Sequence, residues 1–127
     1  MNGPNPRMSI LDPTQITLMR AISGANLRNS VLSNNIANAD TPGFQPSEVD
    51  FHATLADALE EGPEGLGSLT FSPEQVEMGA ERADGNGVDS EAEAAKLAEN
   101  GLELNALTQV ASTRMQIMRT AIGGNAG

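Results

Sequence analysis

Between Ala94 and Ile122 the positions Ala94, Leu97, Gly101, Leu104, Thr108, Ala111, Met115, Met118 and Ile122 recur at alternating intervals of three and four residues. That spacing lays one stripe along a helix and requires a second helix to cover it. A shorter run with the same alternation, Leu18, Ile22, Ala25, Asn29, Leu32 and Ile36, lies near the other end of the chain. Two such stripes leave few folds open. They predict a mainly α protein whose long terminal amphipathic helices pack as an antiparallel coiled-coil hairpin.

The limits of both helices are written in local chemistry. Asp12-Pro13 supplies an N-cap carboxylate followed by a residue whose fixed φ suits the first turn. Pro42 disfavours helical geometry at Thr41, and Gly43 adds a turn position, so the first helix is expected to occupy 13–40. The second is expected at 90–127: Asp89 or Ser90 caps it, Glu91 and Glu93 suit its positive start, Arg114 and Arg119 its negative end, and Gly123-Gly124 stops it. Residues 1–12, with two prolines and a glycine, form a flexible lead-in. On the first helix Leu27 and Val31 widen the apolar surface to one flank, which could meet a second neighbour.

Residues 41–89 read as a turn followed by an irregular, partly extended acidic middle segment. Val49 and Phe51 alternate with Glu48, Asp50 and His52, and Phe51, Leu55 and Leu59 then fall at helical spacing, so a short extended piece should lead into a short helix. Beyond it, 62–90 is rich in glycine and acids with Leu66, Leu69, Phe71, Val76 and Met78 as anchors, and is expected to be mobile or lightly structured.

The 127 residues leave room for one domain. Three Phe, no Tyr and no Trp supply a small core, so burial against partners is expected to complete it. Of the formal charge of −10, the segment 41–90 carries −10 while the two ends nearly cancel. No clustered basic face exists to track a phosphate backbone, which argues against nucleic acid as a partner. Without cysteine there is neither a disulfide framework nor a thiolate metal site. No apolar run resembles a signal-peptide core or a membrane span. A membrane-surface helix would need basic flanks and bulky anchors that are scarce here.

Candidate chemistry is thin. His52 stands near Glu48, Asp50 and Asp57, which could form a metal site or an acid–base pair, but a lone histidine among scattered carboxylates more often sits on a solvated surface. Asp84-Gly85-Asn86-Gly87-Val88-Asp89 looks like a calcium loop, yet the EF-hand spacing fails at Val88 and Asp89, and a helix-capping turn fits better. No G-x-S-x-G elbow, P-loop or dinucleotide fingerprint is present, and Lys96 is the one lysine. The inventory implies no enzyme, no cofactor, no metal and no small-molecule substrate. Gly101 costs about 1 kcal/mol relative to Ala inside a helix, which suggests a close helix approach. Met115 and Met118 read as gap-filling core residues, and Asn29 as a polar register device on the stripe. A small hydrolase using His52 and a soluble helical adaptor or export chaperone are the competing readings from other classes.

The stretch Leu32-Ser33-Asn34-Asn35-Ile36-Ala37-Asn38-Ala39-Asp40-Thr41-Pro42-Gly43-Phe44 closely resembles the N-terminal signature of the bacterial flagellar axial proteins, the rod, hook and hook-associated subunits. Glu48-Val49-Asp50-Phe51, Gly85-Asn86-Gly87-Val88-Asp89, Leu97-Ala98-Glu99-Asn100 and Ala106-Leu107-Thr108-Gln109 are similar to the proximal rod members of that family. The resemblance spans about residues 9–122. Phe44 stands where Tyr is usual, and 101–105 is less bulky than usual. The resemblance implies a subunit of the flagellar basal-body rod in the periplasm, exported by the flagellar type III apparatus without a cleaved signal peptide. It would assemble with copies of itself and other rod subunits on the inner-membrane ring and export gate, its terminal helices forming the inner layer of a tube that transmits torque.

Overall fold

The computed structural model describes residues 12–76 and 88–124. The lead-in at 1–11, the anchor Met78, the 84–87 part of the calcium-like turn and the tail at 125–127 lie outside the described residues. Chain order is α1 (Pro13–Ala37), β1 (Ser47–Glu48), α2 (Phe51–Glu61), α3 (Pro63–Gly67), β2 (Glu74–Gln75) and α4 (Ser90–Gly124). The protein is mainly helical, and its most extensive internal contact is between α1 and α4.

Each long helix starts where a side chain satisfies an otherwise free amide. The Gln15 N–H donates to Asp12 Oδ1 at 2.8 Å, with Pro13 in the first turn. At α4 the N–H groups of Glu91 and Ala92 donate to Asp89 Oδ1 at 3.1 and 3.3 Å. The end of α1 is an asparagine device: Asn38 Nδ2 donates to the Asn34 carbonyl at 2.9 Å, and the Thr41 N–H donates to the Asn38 carbonyl at 2.9 Å. Gly43 then turns the chain at φ +76°, a conformation that side-chain-bearing residues rarely adopt.

After the turn come a short strand, β1, and a short helix, α2; the helix begins at Phe51, so Phe51 and His52, expected in the extended piece, are helical. β1 pairs antiparallel with β2, Ser47 opposite Gln75 and Glu48 opposite Glu74. Of the anchors beyond residue 62, Leu69 is buried and Phe71 half-buried.

The core sits where α2 lies against α1 and α4. Ala21, Ala25 and Phe51 form its centre, with Leu55, Phe71, Leu104 and Leu107 packed around it. Phe51 and Phe71 stack with centroids 5.2 Å apart and planes 15° from parallel. This is possible because α1 offers Gly24 at that level: a Cβ there would come within 2.7 Å of Phe71 Cγ. Burying one phenylalanine contributes about 1.5–3 kcal/mol, so two stacked rings supply much of the adhesion between the middle segment and the helices. Leu27, on the apolar flank of α1, lines an open cleft with Leu69 and Phe71 of the middle segment. No described helix is long and apolar enough to cross a membrane.

Candidate functional site

The three largest fully buried side chains among the described residues are all amides: Gln15, Asn35 and Asn100. Buried amides need partners, and all three find them between α1 and α4. Gln15 Nε2 donates to the Ala111 carbonyl at 3.0 Å, Asn100 Nδ2 donates to the Ala25 carbonyl at 2.9 Å, and Asn35 Nδ2 donates to Glu93 Oε2 at 2.9 Å. The partner on α4 therefore falls in number as the position on α1 rises.

The Asn35 end is the most heavily bonded. Its amide also donates to the Ser47 carbonyl at 2.8 Å, and its Oδ1 accepts the Ser47 N–H at 3.1 Å. One side chain thus joins α1, β1 and α4. Glu93, itself buried, is held from the other side by Lys96 at 3.3 Å. At the opposite end Arg114 donates to Asp12 Oδ2 at 3.0 Å and to Gln15 Oε1 at 3.3 Å. The cap of α1 is thereby latched onto α4. Arg114 was expected to serve the negative end of its own helix; it lies well inside α4 and bonds across instead, because the Asp12 carboxylate is the nearer anion. Midway, among the described residues neither Asn100 Oδ1 nor the Nη1 of Arg28, 8% exposed, has a hydrogen-bond partner.

These polar groups move the contact line off the apolar stripe. Of the expected packing residues on α1, Ala25 and Leu32 are buried, whereas Leu18, Ile22, Asn29 and Ile36 are half-buried. On α4, Ala111 and Met118 are buried, Leu97, Gly101, Leu104 and Met115 half-buried, and Ile122 is 46% exposed. In place of Ile22, Asn29 and Ile36 the buried positions are Ala21, Arg28 and Asn35, and in place of Ala94 and Gly101 they are Glu93 and Asn100. Among the described residues the asparagines that bond between the two helices are Asn35 and Asn100. Gly101 marks no close approach among the described residues, since nothing lies within 4 Å of a Cβ built there. The close approach is at Gly24.

In the signature, Asn35 is the clamp, while Asn34, Asn38 and Thr41 bond among themselves at the helix end. Gly43 supplies the turn. Ser33, Ala37, Asp40 and Pro42 are exposed, and Ile36, Ala39 and Phe44 half-buried.

His52 does not meet the carboxylates near it in sequence. Asp50 caps α2 through the Ala53 N–H, and the His52 imidazole reaches α4, with Nε2 2.8 Å from Glu103 Oε1. Glu99 lies close enough that one ligand atom from each of the three falls within 4.8 Å of the others. His52 and Glu99 are exposed, and the histidine–glutamate pair by itself accounts for their approach. Sequence reasoning missed this pair because 51 residues separate its members.

Comparison with known proteins gives one consistent result. Residues 17–45 match the family model described as "Flagella basal body rod protein". The chain is 30% identical to the flagellar basal body rod protein FlgB of Proteus mirabilis over 80% of its own length and 88% of that protein. It is 30% identical to that of Salmonella typhimurium over 77% and 85%, and 29% identical to that of Bacillus subtilis over 92% and 98%.

Proposed function

The chain belongs to the flagellar basal body rod protein family represented by FlgB, and from that premise we propose that it is a proximal-rod subunit whose α1–α4 pair, an antiparallel coiled-coil hairpin, is the unit that packs into the tube. A basal-body location and a structural rather than catalytic role go with the family. Assembly with copies of itself and other rod subunits on the inner-membrane ring and export gate belongs to the proposal. So do export without a cleaved signal peptide and transmission of torque.

The observation that carries the reading is the Asn35 clamp. A shaft subunit must resist sliding of one helix along the other under load. Apolar side chains alone resist this poorly, because a slipped stripe re-forms similar contacts. Slipping takes the buried Glu93 carboxylate away from the Asn35 amide that Ser47 holds in place, leaving a buried donor and a buried charge unsatisfied, which costs on the order of 1–3 kcal/mol. The signature residue Asn35 sits at that position, bonded to Ser47 and Glu93.

The test is to delete the gene in its native host, restore it with a small epitope tag, and purify basal bodies. The expected outcome is loss of motility on deletion, its recovery with the tagged copy, and the tag in the basal-body fraction. A tagged protein that restores motility yet stays wholly in the soluble fraction would overturn the reading in favour of an adaptor.

A further inference from the structure

Resting on the rod-subunit reading, we propose that the face of the α1–α4 pair turned away from the middle segment is a groove that receives the outer, Leu102 side of α4 from a second copy of this chain, with Gly101 as the notch that admits it.

On α1 the middle segment touches Arg20, through the Leu69 carbonyl, and Gly24, through Phe71; on α4 it touches Glu103, through His52. At ~100° per residue, Leu18, Ile22, Asn29 and Ile36 lie roughly 150° round α1 from those contacts. Leu97, Gly101, Thr108 and Met115 lie roughly 135° round α4. Both sets border the same side of the helix pair and, Thr108 apart, keep partial exposure, so nothing among the described residues finishes their burial.

Charge says what can lie there. The protein carries −10, and copies of it repel wherever acids face acids. The central stretch of the groove and its rims, which include Asn26, Ala98 and Asn105, contains no charged residue, with Glu91 and Arg119, whose Nη2 reaches Met115 Sδ at 3.6 Å, bordering its two ends, whereas Glu99, Glu103, Glu48 and Asp50 lie on or beside the middle segment's side. The uncharged face is therefore where like-charged copies can come into contact without repulsion.

Gly101 and Leu102 supply the fit. A glycine inside a helix costs about 1 kcal/mol relative to Ala, and here a Cβ would meet nothing within 4 Å, so the gap is not filled by the described residues. Leu102, the adjacent residue, is 72% exposed on the side of α4 that faces away from α1. A leucine from one copy seated over the glycine of the next makes a head-to-tail contact, which propagates from copy to copy.

The absence of cysteine permits a clean test. Basal bodies are isolated from cells carrying Ile22→Cys with Leu102→Cys, or Ala53→Cys with Leu102→Cys, and treated with a short bismaleimide. The first pair is expected to give a ladder of linked copies and the second none, because Ala53 lies on α2. In parallel, Gly101→Leu is expected to leave the helicity of the purified chain unchanged or higher while lowering its incorporation on the order of tenfold, the effect of blocking the centre of an interface. Normal incorporation of Gly101→Leu, lost helicity of its monomer, or a ladder from the Ala53 pair alone would overturn the groove. Absence of the wild-type chain from basal bodies would overturn the rod reading itself.

Discussion

The two ends of the α1–α4 pair are fastened by different physics. At the signature end the fastener is a neutral amide, 2% exposed, bonded to backbone and to a buried carboxylate. At the other end the buried amide of Gln15, bonded to the Ala111 carbonyl at 3.0 Å, is joined by an ion pair between Asp12 and an Arg114 side chain that keeps 35% of its surface in solvent. An amide in a dry site is indifferent to salt and loses everything when displaced. A partly wet ion pair is worth about 1 kcal/mol or less and is screened. The fastening at the signature end is thus wholly dry, whereas part of the fastening at the Asp12 end is wet and weakens with salt.

Substitutions can sharpen or break this contrast. Asn35→Leu should have the largest effect, about 3 kcal/mol, because it strands the Ser47 amide and the Glu93 carboxylate in a buried place. Urea unfolding followed by circular dichroism measures it, and the loss should be the same at low and high salt. Arg114→Ala should cost about 1 kcal/mol by the same titration, shrinking as salt is raised; an effect equal to that of Asn35→Leu would abolish the distinction between the ends. Asp12→Asn keeps an N-cap acceptor while removing the charge, so a loss of about 0.5 kcal/mol isolates the ion-pair part of the latch. His52→Ala should be smallest, under about 0.5 kcal/mol for an exposed pair, with swimming in soft agar unaffected. A non-motile His52→Ala strain with normal protein levels would give the His52–Glu103 pair a role beyond packing.

Much of this was legible in the sequence, and the residues show why the rest was not. Caps act over three residues, so Asp12-Pro13 and Asp89 mark the starts of the two long helices, whereas α1 ends at Ala37, short of the residue 40 expected from the Pro42-Gly43 turn, with Asn38 bonding back to Asn34. Alternating spacing announced that both helices have a packed face. It could not say which neighbouring line is buried, because rotating a helix by half a residue exchanges Ile22 for Ala21 and Ile36 for Asn35 without disturbing the period. Hydrophobicity favours the isoleucines; the hydrogen bonds to Ser47 and Glu93 decide for the asparagine. The stacking of Phe71 over Gly24, the Arg114–Asp12 latch and the His52–Glu103 pair join residues distant in sequence, and no local pattern encodes them.

The Asn35–Ser47 bond also bears on the order in which the structure can form. Its two residues are 12 apart, whereas Asn35 and Glu93 are 58 apart and Asp12 and Arg114 are 102 apart. Closing the shortest of these loops costs about 2 kcal/mol less chain entropy than closing the longest. It also needs no part of α4. The N-terminal half can therefore set the amide of Asn35 in place on its own, so that α4, on arrival, finds a docking point already oriented and the slow, long-range search is reduced to one step.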